Sequence, residues 1–541
     1  MQRNRSTGPK RRAFTPEYVS PRQLTLEGFE TPFEQQLLEN NRWVKLAKAI
    51  PWDGIVSRYD KIFKSEEGRK PISGRVVVGA IIIKHLNNLS DRETIEQIRE
   101  NMYMQYFLGY SSFTCEAPFA PSLFVEIRER LNFEFLSEIN ELIAVNYIQE
   151  EASKLEDDNR SQSKDGEGNN GVEDELAKSV QDIKDANDQA PTETVKGNSE
   201  VAIENKGKLL VDATVAPQNI AFPTDLNILN DARKKSEQLI DLLYTATLHG
   251  KPKPRTYRRN ARRDYLNTAK KKNKSHKTIR KANGQQLRYL KRNLRIIDEL
   301  LKSYRGFPLR PPHRKYFEVI KEVYAQQQEM HRNHIHTISN RIVSIHQPHV
   351  RPIVRGKVKA KTEFGSKIEV SLVAGFMFID YLSWDAFNEG TYLIDSVEKY
   401  KKRFGHYPAE VLADQIYCNR ENRRALKALH IKLVAKPLGR PSAQAVKNHV
   451  RPGERNPIEG KFGQGKVKYG LDNIRARLRT TSESWIASIA LVLNLVALTR
   501  HAPLRILERF LSHILLSPVL VLIKKFTAYG LGSGPNFILS Y

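Results

Sequence analysis

Three carboxylates of the chain stand in patterns that suit chemistry on a phosphodiester. Asp212 follows the apolar run of GKLLVDATV, Asp414 follows that of AEVLADQ, and Glu459 lies among basic residues in RNPIEGKFGQGKVKYG. Carboxylate oxygens are the ligands that Mg²⁺ and Mn²⁺ prefer. Two such ions, about 3.5–4 Å apart, activate an attacking oxygen and stabilise the leaving oxygen. Three carboxylates converge only where cations offset their repulsion, and Arg455 and Lys466 would add to the charge of the metals.

Each of these acids also has a purely structural explanation. An Asp after an apolar run commonly caps a turn or helix. Asn456-Pro457 is typical of an N-cap followed by Pro, which puts Glu459 where a Glu often accepts a backbone N–H. Taken singly, each acid is better explained as structural, but their order along a basic chain favours a site. Asp380 and Asp385 are the alternatives if one of the three assignments is wrong.

The elements that would position these acids follow from the apolar pattern. Strands are predicted at 207–220, 409–418 and 431–437, and a hairpin around Gly365-Ser366. Helices are predicted at 225–244, 390–405, 419–430 and 455–470, with a buried helix at 484–500. If the strands before Asp212 and Asp414 are neighbours, their carboxylates meet, and a third carboxylate on a later helix closes the site.

The charge of the chain indicates a polyanionic partner. The 541 residues carry a formal net charge of +27, and phosphate contacts by Lys and Arg release counterions. The densest basic run, 251–295, has Tyr257, Tyr265 and Tyr289 interleaved and predicts a pair of helices that contact DNA; a merely solvated face is the alternative. The candidate DNA contacts are Arg255, Arg258, Arg259, Arg262, Arg263, Lys270, Lys271, Lys272, Arg455, Lys461, Lys466 and Lys468.

Several other classes of protein are disfavoured by composition. Cys115 and Cys418 are the two cysteines and form no CxxC pair, which argues against a disulfide framework and a zinc finger. The histidine-rich stretches at 331–336 and 346–349 lack cysteine partners for zinc. The apolar stretch 510–526 is too short and interrupted to span a bilayer, so we expect a packed or interface helix, no membrane partner and a cytoplasmic protein.

Changes in composition divide the chain into four predicted parts. Residues 1–149 are predicted to form a helical domain for DNA binding or dimerisation, with an apolar helix from 74 and a capping box at Ser90 and Glu93. Residues 150–205 are acidic and polar and predict a disordered linker. Residues 206–500 hold the three acids, and 501–541 form an apolar tail.

Four segments resemble DDE transposases of the IS5/IS1182 insertion-sequence type. They are LLVDATVAPQNIAFPTDLNILNDARKKSEQLID, IHQPHVRPIVRGKVKAKTEFGSKI, VLADQIYCNRENRRALK and RNPIEGKFGQGKVKYGLDNIRARL. The R-x3-E-x6-K pattern of that family falls on Arg455, Glu459 and Lys466. The Tyr that often precedes the Arg by three positions is absent, because Pro452 stands there.

The resemblance implies a fold and a reaction. The fold is α+β and multidomain, with an N-terminal helical domain and an RNase H-like core that carries a helical insertion at about 222–353. Asp212, Asp414 and Glu459 would bind two Mg²⁺ or Mn²⁺ ions, with Arg455 and Lys466 on phosphate.

The implied protein binds the terminal inverted repeats of its element, cuts the ends and joins their 3′-OH groups to target DNA. Its partners would be double-stranded DNA and a second copy of itself or more, with no small-molecule substrate, in a bacterial cytoplasm near the nucleoid. The alternatives are a catalytically silent DNA-binding repressor and an RNase H-fold nuclease that does not transfer strands.

Overall fold

The computed structural model describes residues 36–63, 71–162, 204–354, 362–436 and 453–499. The described residues divide into two compact units. One lies within Met1–Ala80, Ile95–Phe119 and Val492–Tyr541, and the other within Ile81–Thr94 and Ala120–Leu491. The predicted N-terminal tail, most of the acidic linker and the apolar tail lie outside the described residues.

The described part of the first 162 residues is helical, as predicted. Its helices are α1 (Arg42–Ala49), α2 (Trp52–Asp60), α3 (Gly74–Leu86), α4 (Asp91–Glu100), α5 (Met102–Leu108), α6 (Phe124–Arg130) and α7 (Phe133–Gln162). The predicted capping box is present in one direction, since the Glu93 amide donates to Ser90 Oγ at 3.2 Å. Helix α7 continues to Gln162, so the range 150–162, predicted as linker, is helical.

The first unit has its own aromatic core. The ring of Phe107 lies 5.3 Å, centroid to centroid, from the rings of both Trp43 and Trp52. Buried Arg75 donates from Nε to the Phe107 carbonyl at 3.0 Å, which satisfies a carbonyl at the end of α5. The hydrogen bond from Arg75 and the packing of the Phe107 ring therefore both stabilise the end of α5 within this unit.

A six-stranded mixed sheet forms the centre of the second unit. Its strands are β1 (Lys208–Pro217), β2 (Arg351–Val354), β3 (Thr362–Val373), β4 (Phe376–Ser383), β5 (Glu410–Leu412) and β6 (Lys432–Val434). Strand β3 pairs antiparallel with β1, β2 and β4, whereas β5 pairs parallel with β1 and β6. Each predicted strand range contains a strand, and the strands that carry or precede Asp212 and Asp414 are neighbours. Two details differ: β1 continues past Asp212 to Pro217, and β5 ends at Leu412 before a 3₁₀ turn at Gln415–Tyr417.

The hairpin predicted at Gly365-Ser366 was wrong. Both residues lie inside β3, and the turn is formed nine residues later by Ala374 and Gly375, which have φ of 47° and 79°. Such consecutive positive φ values are typical of a two-residue hairpin turn. Gly365 serves close strand approach instead, because a Cβ there would lie 2.1 Å from the carbonyl oxygen of Ala216.

Between β1 and β2 the chain forms the predicted helical insertion. Its helices are α8 (Asp225–Leu243), α9 (Ala246–His249), α10 (Arg258–Ala269), α11 (His276–Leu301) and α12 (Pro311–Asn333). Buried Arg233 on α8 donates to Gln286 on α11 at 3.1 Å, and Gln286 donates to the Ala261 carbonyl on α10 at 3.1 Å. These hydrogen bonds link three helices and hold the basic α10 in one orientation.

Four more helices complete the described chain: α13 (Leu393–Phe404), α14 (Arg420–Ala428), α15 (Asn456–Tyr469) and α16 (Arg479–Thr499). Among the described residues, α16 is the one helix long and apolar enough to cross a membrane, and 89% of its most apolar window is buried inside the protein. This confirms the buried helix predicted at 484–500.

We expect Gly365→Ala to destabilise the sheet by about 2 kcal/mol or more, because the new Cβ would meet backbone rather than a flexible side chain. The matched control is Gly463→Ala, in the exposed middle of α15 with no neighbour within 4 Å of a new Cβ; it should stabilise by up to about 1 kcal/mol. Urea unfolding of both variants measures the difference. Equal stability of Gly365→Ala and the parent would contradict the close approach.

Candidate active site

The pairing register of β1 and β5 brings Asp212 and Asp414 next to each other. The parallel pairing of β1 with β5 sets Leu210 opposite Leu412, and each aspartate follows its leucine by two residues. From Lys208 to Ala213 burial alternates along β1, with Leu209, Val211 and Ala213 buried and Asp212 half-buried, as the period of two requires. Asp414 caps the 3₁₀ turn Gln415–Tyr417 and is 59% exposed.

Arg455 joins the two aspartates. Its Nη2 lies 3.2 Å from Asp212 Oδ2, and its Nη1 lies 3.2 Å from Asp414 Oδ1. The planar guanidinium thus uses its two terminal nitrogens on two different carboxylates. Arg455 was predicted to supply positive charge to the carboxylates, and its two ion pairs place that charge between Asp212 and Asp414. Its predicted contact with phosphate stays a prediction.

The electrostatics of Asp212 reflect its burial. Burial raises the pKa of Asp212 to about 6, whereas Arg455 and the hydrogen bond from the Ala213 amide lower it. Glu389 and Asp414 raise the pKa further through their negative charge. Asp212 therefore lies in a site where added positive charge would be strongly favourable.

Glu459 lies one helical turn beyond Arg455. The predicted cap was one residue off, because Arg455 is the N-cap of α15 and Pro457 the second helical residue. Residues four apart share a helix face about 6 Å apart along the axis, so Glu459 and, seven residues on, Lys466 lie on the face that starts at Arg455. Glu459 is exposed, and in the described part of the chain no three His, Cys, Asp or Glu side chains are close enough to hold a metal ion.

The alternative acids have other surroundings. Asp380 is buried and pairs with Arg403 at 2.8 Å, and Arg403 also binds Glu141. Asp385 is 71% exposed and lies 3.6 Å from Arg351. Neither carboxylate contacts Arg455 among the described contacts, so the structure offers no support for them as substitutes.

Sequence reasoning missed Glu369. This fully buried residue lies on β3 opposite Ala213, and Tyr417 Oη donates to its Oε1 at 2.6 Å. Burial raises the pKa of Glu369 to about 8, an effect that Tyr417 opposes and that Glu389, Asp380 and Asp212 reinforce. The signal available in the sequence was one acid inside the apolar run KIEVSLV.

The predicted basic surface is present on α10. Ala261 and Thr268 face inward, while the eight predicted contacts of this region are all exposed: Arg255, Arg258, Arg259, Arg262, Arg263, Lys270, Lys271 and Lys272. We call Arg259, Arg262, Arg263 and Lys270 the α10 basic face.

Two features of this region differ from the expectation. Arg258 binds Asp241 on α8 through both terminal nitrogens, at 3.0 and 2.8 Å, so it fastens α10 to its neighbour. Tyr265 and Tyr289 also make internal hydrogen bonds, to Asn227 and Asp264. Of the three interleaved tyrosines only Tyr257 is largely exposed, at 50%.

Comparison with known proteins gives two family matches. Residues 31–130 match a transposase domain (DUF772), and residues 411–496 match a transposase DDE domain. The second match contains Asp414, Arg455, Glu459 and Lys466, whereas Asp212 lies outside both. The resemblance to DDE transposases drawn from the sequence is confirmed.

One curated relative and the solved structures complete the comparison. An uncharacterized protein of Rhizobium meliloti, ORF8 in the nfe locus, is 36% identical over 99 residues. This match covers 18% of the chain and 46% of the relative, so the chain spans less than half of that protein's length. No solved structure matches the chain.

We expect Glu369→Gln to become more stable relative to the parent as pH rises. Since the folded state raises the pKa of Glu369 from 4.5 to about 8, its stabilising contribution is present below pH 4.5 and is lost as pH rises through 8. The neutral amide does not titrate, so the variant should gain roughly 3–5 kcal/mol on the parent between pH 4.5 and 8.5. Unfolding in EDTA at several pH values measures this. A difference that is constant with pH would contradict it.

Proposed function

We propose that this chain, which carries a transposase domain and a transposase DDE domain, is a metal-dependent DNA transposase. It would bind the terminal inverted repeats of an IS5/IS1182-type insertion sequence, cut at its ends, and join the 3′-OH ends to target DNA. The observation that carries the proposal is the contact of Arg455, inside the DDE match, with both Asp212 and Asp414.

The sheet supports an RNase H-like core for this reaction. Antiparallel β4, β3 and β1 continue into parallel β5 and β6; Asp212 lies on β1, and Asp414 follows the adjacent strand β5 by two residues. Open α/β sheets bind their ligands at the carboxyl ends of such strands.

The donor set suits Mg²⁺ or Mn²⁺. Two carboxylates already lie within 3.2 Å of one positive group, and hard oxygen ligands are what these ions require. Asp212 and Asp414 would hold the ions, with Glu459 as the third ligand once side chains on the α15 face rearrange. Metal ions held there supply positive charge that activates and stabilises the reacting oxygens of a phosphodiester.

The chain's own residues have distinct roles in this proposal. Asp212 and Asp414 bind cations, and the register of β1 and β5 fixes their spacing. Arg455 holds the two carboxylates together and then offers its guanidinium to a phosphate, whose oxygens can accept two parallel N–H hydrogen bonds from it. Lys466, about three turns beyond Arg455 on the same helix face, adds a second contact to the phosphate backbone.

DNA would also lie along the α10 basic face. Its cations point outward from a helix that buried hydrogen bonds hold in place, so they meet a phosphate backbone without first ordering a loop. The further contacts proposed are Lys461 and Lys468 on α15. Because two transposon ends must be joined, we propose at least a dimer acting on DNA in the bacterial cytoplasm.

We expect Asp212→Asn, Asp414→Asn and Glu459→Gln each to lower the rate of end cleavage by on the order of 10³-fold, since several kcal/mol of charge stabilisation is lost. Affinity for the end DNA should change little. The matched control is Glu421→Gln, which removes another exposed first-turn acid, on α14. The assay uses labelled duplex from the element's own end with Mg²⁺ or Mn²⁺, and separates nicked from strand-transfer products.

The same assay separates the alternatives. Specific binding without cleavage by the parent protein would favour the repressor. Cleavage without strand transfer would favour the nuclease. Full cleavage by Glu459→Gln would remove this residue from the site and leave it as a helix-terminal acid.

We expect Arg259→Ala and Arg262→Ala each to weaken DNA binding and to lower the slope of log affinity against log salt by about 0.9, the value for one lost phosphate contact. Arg295→Ala is the control, because Arg295 is also exposed, on α11, but lies 3.5 Å from Glu299. Binding isotherms between about 50 and 200 mM salt measure the slope. An unchanged slope in both face variants would exclude α10 from the interface.

A further inference from the structure

Glu369 is buried in a place where an acid is costly. Its side chain is fully buried in the middle of β3, between strands β1 and β4. A buried carboxyl group destabilises a protein unless it is neutral or compensated. Oε1 of Glu369 accepts a hydrogen bond from the Tyr417 hydroxyl, whereas Oε2 of Glu369 has no hydrogen-bond partner among the described residues.

Tyr417 belongs to the turn that carries Asp414. Asp414 caps the 3₁₀ turn, and Tyr417 is its last residue, with a side chain that is fully buried. Asn422 at the start of α14 donates to the Tyr417 carbonyl at 2.9 Å. The Tyr417 hydroxyl contacts Glu369 on β3, and the Tyr417 carbonyl accepts the hydrogen bond from Asn422. Tyr417 therefore connects the turn that carries Asp414 to β3, which pairs with the strand that carries Asp212.

The acidic residues around Glu369 each have a cationic partner, whereas Glu369 itself has none among the described residues. Asp212 on β1 faces Arg455, Asp380 on β4 faces Arg403, and Glu389 after β4 lies 2.9 Å from Lys367. Glu369 has a hydroxyl group instead of a cation. With its pKa raised to about 8, it is a neutral carboxylic acid at neutral pH, which adds no repulsion to the neighbouring carboxylates.

We propose that Glu369 is a positioning residue of the active site, which through the Tyr417 hydroxyl holds the Asp414 turn at the spacing from Asp212 that metal binding needs. The proposal rests on the proposed function of the same site and adds a residue that the DDE motif does not contain. Glu369 itself contacts neither DNA nor metal. It acts by keeping two ligands in place before the ion arrives.

The test compares Mn²⁺ binding and DNA cleavage in variants of the full chain. Tyr417→Phe removes one hydroxyl and should weaken Mn²⁺ binding, measured by calorimetry, about tenfold, with a matching rise in the Mn²⁺ concentration for half-maximal cleavage. Glu369→Gln keeps an oxygen that accepts from Tyr417 and should stay within about twofold of the parent at pH 7. Glu369→Met loses the acceptor and should behave like Tyr417→Phe.

Tyr400→Phe is the matched control for a purely structural effect. Tyr400 is also buried and also donates one hydrogen bond, to the Lys206 carbonyl at 2.7 Å. It should lose a similar amount of stability, about 1 kcal/mol, without any change in Mn²⁺ affinity.

Each outcome decides the proposal. Parent-like Mn²⁺ affinity in Tyr417→Phe and Glu369→Met, or an equal loss in Tyr400→Phe, would overturn it. If the parent binds Mn²⁺ but does not cleave DNA, the proposed transposase function fails while the Mn²⁺ titration still tests the positioning role. If the parent binds no Mn²⁺, both are wrong.

Discussion

Asp212, inside β1, and Asp414, just after the neighbouring parallel strand β5, repel each other, and Arg455 is the group that offsets this repulsion. The pairing register of β1 and β5 places Asp212 and Asp414 side by side, two residues beyond the paired Leu210 and Leu412. One guanidinium with two donor nitrogens contacts both, at 3.2 Å each. The start of α15 is thereby held against the sheet edge, and the helix face that carries Glu459 and Lys466 is aimed from that point. This contact connects the sheet, the helix and the site.

The acids behind the site follow the same rule of local compensation. Asp380 has Arg403 and Glu389 has Lys367, so each of these two carboxylates has a cationic partner. Glu369 departs from the rule, since its partner is a neutral hydroxyl group. A neutral acid gives the sheet a hydrogen bond to the Asp414 turn without adding a charge to an already negative region. Such a departure costs stability, and costly arrangements of this kind are concentrated at functional sites.

In the helical insertion, buried charged residues hold the helices together, and other charged residues are exposed on the surface. Inside, Arg233 makes hydrogen bonds with Asn230, Glu237 and Gln286 and is almost fully buried. Outside, Arg259, Arg262 and their neighbours are exposed on α10. Because Arg233, Gln286 and the Ala261 carbonyl are joined by hydrogen bonds, α8, α10 and α11 keep one packing. A rigid basic face loses little conformational entropy on meeting a phosphate backbone.

The sequence by itself determined the elements that carry the site. Apolar runs ending in Asp212 and Asp414, the helix after Arg455 and the basic stretch around α10 were all predictable, because they depend on short-range periodicity and composition. Tertiary structure decided the rest. Gly365, a local turn signal, lies in a strand because the backbone of β1 approaches it. Arg258, Tyr265 and Glu369 bind partners 17, 38 and 48 residues away. Hydrogen bonds between such distant residues depend on how the elements pack, and no local pattern in a single sequence records that packing.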